Sequence, residues 1–75
     1  MINVALIGYG YWGAKLARNF HNSEYFNLIS VYDKNKKKVK EAKNSFKKIQ
    51  TYKNIDELLK NKEISLVIIS TPTST

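Results

Sequence analysis

Along the chain, apolar runs of strand length alternate with stretches of helical period. Ile2-Asn3-Val4-Ala5-Leu6-Ile7 is short, mostly apolar and closed by a glycine, the pattern of a first strand buried on both faces. From Tyr11 the period lengthens. Gly13, Leu16, Ala17 and Phe20 stand at i, i+3, i+4 and i+7, so a small-to-large stripe of a first helix faces the sheet. Asn27 to Asp33 carries Leu28, Ile29, Val31 and Tyr32, a second strand that stops at a polar Asp-Lys-Asn step. Val39, Ala42 and Phe46 then share one face of a lysine-coated helix from about Asn35 to Ser45. Ile49 to Tyr52 is brief and alternating and predicts a third strand, at a sheet edge. Asn54 with Glu57 forms a helix start of the capping-box type, and Ile55, Leu58 and Leu59 supply the apolar stripe of a short third helix. Ser65-Leu66-Val67-Ile68-Ile69-Ser70-Thr71 is a β-branched fourth strand, read as buried on both faces and ended by Pro72.

This βαβαβαβ alternation calls for a parallel α/β sheet with right-handed crossovers, and the two most apolar strands, first and fourth, belong in its middle. The predicted fold is the first half of a Rossmann-type, doubly wound sheet with strand order 3-2-1-4, and residues 1–75 form a single unit.

The loop between the first strand and first helix reads Gly8-Tyr9-Gly10-Tyr11-Trp12-Gly13, or G-x-G-x-x-G, and the chain's three glycines all lie in it. Asp33 follows 20 residues after Gly13, at the end of the second strand. Strand, glycine loop, helix and distant acid together form the fingerprint of a dinucleotide site. Gly8 would allow the tight turn, Gly10 would let the backbone approach a pyrophosphate, and Gly13 would let the helix pack on the sheet. The N–H groups of Tyr11, Trp12 and Gly13 would face that pyrophosphate at the positive end of the helix. The rings of Tyr9 and Trp12 are read as core packing, with flanking a cofactor as the alternative. Asp33 suits the two hydroxyls of an adenosine ribose, which selects NAD, the alternative being a helix N-cap. Lys34 and Lys36 stand close enough to soften repulsion of a 2′-phosphate, so NADP is also admitted. His21, near the end of the first helix and without a partner at a catalytic spacing, is read as a surface residue, and no residue is assigned a catalytic or metal-binding role.

Composition changes this picture little. The 75 residues include 13 Lys or Arg against 6 Asp or Glu, a formal charge of +7, and eight of the lysines fall between Lys34 and Lys48. The only aromatic residue in that stretch is Phe46, too few stacking surfaces for nucleic acid, so the lysines read as solvated helix surface. The absence of cysteine suits a reducing, cytoplasmic setting and rules out thiolate metal sites. No apolar run approaches the roughly 18 residues that span a bilayer, and the amino terminus lacks the basic region of a signal peptide. A chain this short buries only about 60% of its unfolded surface and is marginal alone.

Ile7 to Gly13, Val31-Tyr32-Asp33, Asp56-Glu57-Leu58-Leu59 and Val67-Ile68-Ile69-Ser70-Thr71-Pro72 together resemble the N-terminal domain of the glucose-fructose oxidoreductase/inositol dehydrogenase/MocA (Gfo/Idh/MocA) family over the whole chain. The Thr-Pro pair closing a fourth apolar strand is the more particular part of the match. The family carries Thr-Pro-x-x-x-His there, and Thr71 to Thr75 stops one residue short of that histidine, which reads as a truncated chain or gene. The resemblance implies NAD(P)-dependent oxidation of a sugar, inositol or nucleotide-sugar hydroxyl by the full-length protein, with a homo-oligomer left open. It places Thr71 and Pro72 along the cofactor, where Ser70 and Thr71 could equally bond their own backbone. The Glu-Lys-Pro segment and the substrate domain of such enzymes are absent from these residues, so the chain alone is expected to be inactive and, with an apolar strand at its edge, poorly soluble. The other reading of the same fold is a non-catalytic nucleotide sensor.

Overall fold

A computed structural model describes residues 1–70. Strand β1 (Ile2–Ile7) lies between β2 (Phe26–Tyr32) and β3 (Leu66–Ile69), and both pairings are parallel, giving the order β2-β1-β3. Helix α1 (Tyr11–His21) joins β1 to β2, while α2 (Lys36–Ser45) and α3 (Ile55–Leu59) lie between β2 and β3 in the chain. The topology is that of a partial Rossmann fold, as predicted, with β3 occupying the place of the predicted fourth strand.

The predicted third strand, Ile49 to Tyr52, reduces to a single parallel bridge between Ser30 and Gln50 on the outer side of β2. It has the position that the order 3-2-1-4 requires but not the length. Gln50 donates its N–H to the Ile29 carbonyl (2.8 Å), and the Ser30 hydroxyl donates to the Gln50 carbonyl (3.1 Å). Ile49 is buried, but Gln50 and Thr51 are exposed, so nothing apolar holds a longer run against the sheet. Beyond the bridge, Gln50, Tyr52 and Asn61 bond one another through their side chains.

The core lies chiefly on the face covered by α1 and α2, where Leu6, Leu28 and Val31 of the sheet meet Ala17, Ala42 and Phe46. The α1 stripe is as predicted: Gly13 and Ala17 are buried, and Leu16 and Phe20 pack against the same cluster. Val4 and Leu6 are fully enclosed, each worth about 1.5–3 kcal/mol relative to exposure. These residues make β1 the anchor of the sheet. Right-handed crossovers send α3 to the opposite face, because the connection there reverses direction past β1. Its Leu58 is fully buried and stands outside the α1/α2 cluster.

Two expectations need correction here. Of the predicted α3 stripe only Leu58 is buried, while Ile55 and Leu59 are exposed, since a helix of five residues presents barely more than one turn to the sheet. The strand at Leu66–Ile69 is not buried on both faces; Ile69 is 66% exposed, because β3 has a neighbour on one side only and α3 covers little of it.

The β1–β2 ladder holds one irregularity. Val4 pairs with Leu28 and Ala5 with Ser30, which leaves Ile29 without a partner in β1. Among the described residues, no helix is long and apolar enough to cross a membrane.

Candidate functional site

The carboxyl ends of β1 and β2 converge on the glycine loop. Gly8 continues the ladder, donating its N–H to the Tyr32 carbonyl (2.7 Å), and then turns with φ = 103°. That conformation is one that side chains rarely adopt, and a Cβ at Gly8 would drive into the backbone carbonyl of Ser70. Gly13, in the first turn of α1, has an ordinary φ but no room, since its Cβ would run into the Gly8 carbonyl. Helix and strand touch backbone to backbone there. A Cβ at Gly10 would meet nothing within 4 Å among the described residues. Two glycines are thus required by the fold itself. The middle one is crowded by nothing among the described residues, and it opens onto space at the helix start, the gap that a pyrophosphate lying against the loop needs.

Gly10 is the N-cap of α1 and offers no side chain to the helix, and no acidic residue lies in the first turn. The first intrahelical bond is made by the Ala14 N–H to the Gly10 carbonyl (2.8 Å). The N–H groups of Tyr11, Trp12 and Gly13 precede it, so they remain donors at the positive end of the helix.

Asp33 stands just past β2 with its carboxylate held between two backbone amides. Oδ2 accepts the Tyr9 N–H (2.8 Å) and Oδ1 accepts the Asn35 N–H (2.8 Å). The N-cap of α2 is Asn35, whose side chain accepts the Lys37 N–H (3.0 Å), so the alternative role weighed for Asp33 falls to its neighbour two residues on. The bond to Tyr9 was not legible beforehand. It ties the glycine loop directly to the end of β2, across 24 residues of chain. Each carboxylate oxygen keeps lone-pair capacity for a further donor.

A cavity of about 360 Å³ opens between these parts, lined among others by Gly8, Gly10, Asp33, Lys34, Lys38 and Ile55. Lys34 is therefore beside Asp33 as predicted, and Lys38 is a second cation there. Lys36 lines a neighbouring cavity instead. Ile55, exposed from α3, supplies an apolar wall.

The two rings read as packing part company. Tyr9 is buried in the core, but Trp12 is 68% exposed, and with it Tyr11 at 71%. Trp12 points away from the sheet because Gly13 and Ala17 already fill the face of α1 that touches it. The two exposed rings meet edge to face at 5.5 Å, and the Lys15 ammonium lies over both, 4.5 Å from Tyr11 and 5.1 Å from Trp12. His21 is exposed at the end of α1, as predicted, with its ring 4.9 Å from that of Phe46. Thr71 and Pro72 lie outside the described residues. Ser70, the last of them, bonds its N–H to the Ile7 carbonyl (2.7 Å) and so adjoins the loop.

Residues 2–75 match the model of a family described as "Oxidoreductase family, NAD-binding Rossmann fold" (GFO_IDH_MocA). No curated protein sequence matches the chain. Among solved structures, a Desulfitobacterium hafniense protein provisionally described as an NADPH-dependent oxidoreductase superposes with a TM-score of 0.86 at 25% identity, over 95% of this chain and 20% of its own. GenD2 from gentamicin A biosynthesis, solved in complex with NAD, has a TM-score of 0.86 at 23% identity, over 99% of this chain and 21% of its own. An NAD-binding protein from Listeria innocua has a TM-score of 0.80 at 22% identity, over 95% and 20%. The chain spans about one fifth of the length of these structures.

Proposed function

The chain belongs to the Gfo/Idh/MocA oxidoreductase family, with its NAD-binding Rossmann fold, and from that premise we propose that it holds the adenosine and pyrophosphate half of the cofactor. The N–H groups of Tyr11, Trp12 and Gly13 take the pyrophosphate, with Gly10 giving it room. Asp33 accepts hydrogen bonds from the ribose hydroxyls, and Lys34 and Ile55 flank the adenosine. Thr71 and Pro72 extend the same site toward the nicotinamide, on the resemblance alone. Residues 1–75 are the N-terminal part of the dinucleotide-binding domain, and the substrate domain lies elsewhere. The bound cofactor supplies a hydride acceptor. The full-length protein oxidises the hydroxyl of a sugar, inositol or nucleotide-sugar, a substrate class supported by the Thr-Pro strand end.

The observation that carries the reading is the contrast at the three glycines, where two are closed by backbone and Gly10 is open. NAD is favoured over NADP because the Asp33 carboxylate is fixed in the pocket by two amides and would face a 2′-phosphate. Gly10→Val tests the loop. Cofactor affinity should fall by tenfold or more, about 1.4 kcal/mol, at a nearly constant melting temperature. An unchanged dissociation constant would remove the pyrophosphate assignment.

A further inference from the structure

The lysines of α2 are not spread evenly around it. Lys36, Lys40 and Lys43 stand at i, i+4 and i+7 and so share one side of the helix, with Val39 between them. That side lines a cavity of about 630 Å³, whose other wall is the segment after the Gln50 bridge, Thr51 to Lys53, and Glu57 of α3. Lys34, at the end of β2, joins them. Five ammonium groups therefore border one cavity against two carboxylates, Asp33 and Glu57. Both acids are engaged by backbone amides: Asp33 by Tyr9 and Asn35, Glu57 by the Lys53 N–H (3.4 Å).

Neutralisation within the fold does not account for the arrangement. The ion pair is Lys38 with Glu41 (3.6 Å), and among the described residues no carboxylate oxygen lies within 4.0 Å of Lys36, Lys40 or Lys53. Like charges at helical spacing repel and destabilise the helix that carries them. Lys43 is also fixed in place, its ammonium donating to the Ile49 carbonyl (2.5 Å). Tyr32, Tyr52 and Val39 give the cavity an apolar lining, which lowers the local dielectric and strengthens whatever the charges attract.

We propose that this cavity is a binding site for a phosphate-rich anion, adjoining the glycine-loop site but distinct from it, with Lys36, Lys40 and Lys53 as its principal contacts. Tyr32, Asp33 and Lys34 line both cavities, so the two sites share a wall. The phosphate has two sources by chemistry: one carried on the adenosine ribose of the cofactor, or a separate phosphorylated ligand.

The experiment is calorimetric titration of the intact protein with tripolyphosphate at two salt concentrations. It compares the wild type with two variants of equal charge, Lys36→Gln/Lys40→Gln/Lys53→Gln in the cavity and Lys37→Gln/Lys47→Gln/Lys48→Gln away from it. The cavity variant should lose about tenfold or more in affinity while the control keeps most of it, and the salt dependence should flatten only for the cavity variant. Lys40→Gln alone, at an exposed position that leaves the fold intact, should move in the same direction. NAD and NADP titrations then separate the sources. A fall in NADP affinity relative to NAD assigns the cofactor's own phosphate, and an unchanged ratio assigns a separate ligand. Equal losses in the two triple variants, or no saturable binding to the wild type, would overturn the proposal.

Discussion

The segment from β1 through α1 to β2 and the return from Gln50 through α3 to β3 are built from similar residues but are closed very differently. In the first, Val4, Ala5, Leu6, Ala17 and Val31 are fully buried, and two glycines bring backbones into direct contact. In the second, one bridge, a five-residue helix and a four-residue strand leave Leu59, Leu66 and Ile69 exposed. An apolar run is therefore not a measure of burial. Burial depends on having neighbours on both sides and both faces, and β1 has them where β3 does not.

The sharpest way to break this contrast is to put a methyl group into the closed half. Gly8→Ala and Gly13→Ala should each cost about 3 kcal/mol or more, read by denaturant unfolding. At Gly13 the gain in helix propensity is only about 1 kcal/mol, too little to offset a collision between backbones. A mild effect at either position would mean that α1 can move off the sheet, and the two halves would then be equally loose. Next in size is Leu58→Ala, which should cost about 2–5 kcal/mol, because Leu58 is the fully buried side chain of α3. A loss under 1 kcal/mol would show that α3 contributes nothing to the second half's attachment.

Asp33→Asn probes the link within the closed half. It removes a charge-assisted bond worth about 1.5–3 kcal/mol, because an amide nitrogen cannot accept the N–H that one carboxylate oxygen now takes. The melting temperature should fall and the preference for NAD over NADP should narrow in the same variant. Narrowing without loss of stability would detach Asp33 from its role in holding the loop. A smaller effect is expected from Asn54→Ala, about 1 kcal/mol, through loss of the cap that Asn54 provides to the Glu57 N–H (2.9 Å). The smallest is Ile69→Lys, which should change stability by no more than about 0.5 kcal/mol while suppressing association at the open edge, followed by size-exclusion chromatography. A large destabilisation there would place β3 among the closed elements.

The architecture and the heart of the site were legible in the residues because they rest on local rules. A glycine at a positive φ, a helix start next to a strand end and an acid at the end of the next strand are constraints of short range. What escaped was set by tertiary context. The run Ile49 to Tyr52 carried strand-like alternation, but its length in the sheet depended on what lay beneath it, and only Ile49 found a place. Trp12 looked like core by its chemistry, yet Gly13 and Ala17 had already filled the face toward the sheet. The reciprocal half of the capping box also shifted, with the Glu57 carboxylate reaching the Lys53 N–H (3.4 Å) in place of the Asn54 N–H. The lysine stripe could have been found. Lys36, Lys40 and Lys43 have the same helical spacing as the apolar face of α1, and a charged stripe obeys that period as an apolar one does.

The unpaired Ile29 acts as a phase adjuster for the strand that carries it. Side chains alternate along a strand, so one extra residue on β2 exchanges the two sides for everything that follows. Leu28 and Val31, an odd number of positions apart, both join the α1/α2 cluster as a result. The same half-turn sets the aim of Asp33 two residues after Val31, bringing its carboxylate to the Tyr9 amide. Excising Ile29 would leave Ala5 paired with Ser30 and Asp33 on its present side, whereas drawing Ile29 into a regular ladder without removing a residue would send the acid to the other side of the sheet. The ladder's one misfit thus aims the Asp33 carboxylate at the glycine loop, and absorbing Ile29 into the ladder would turn it away.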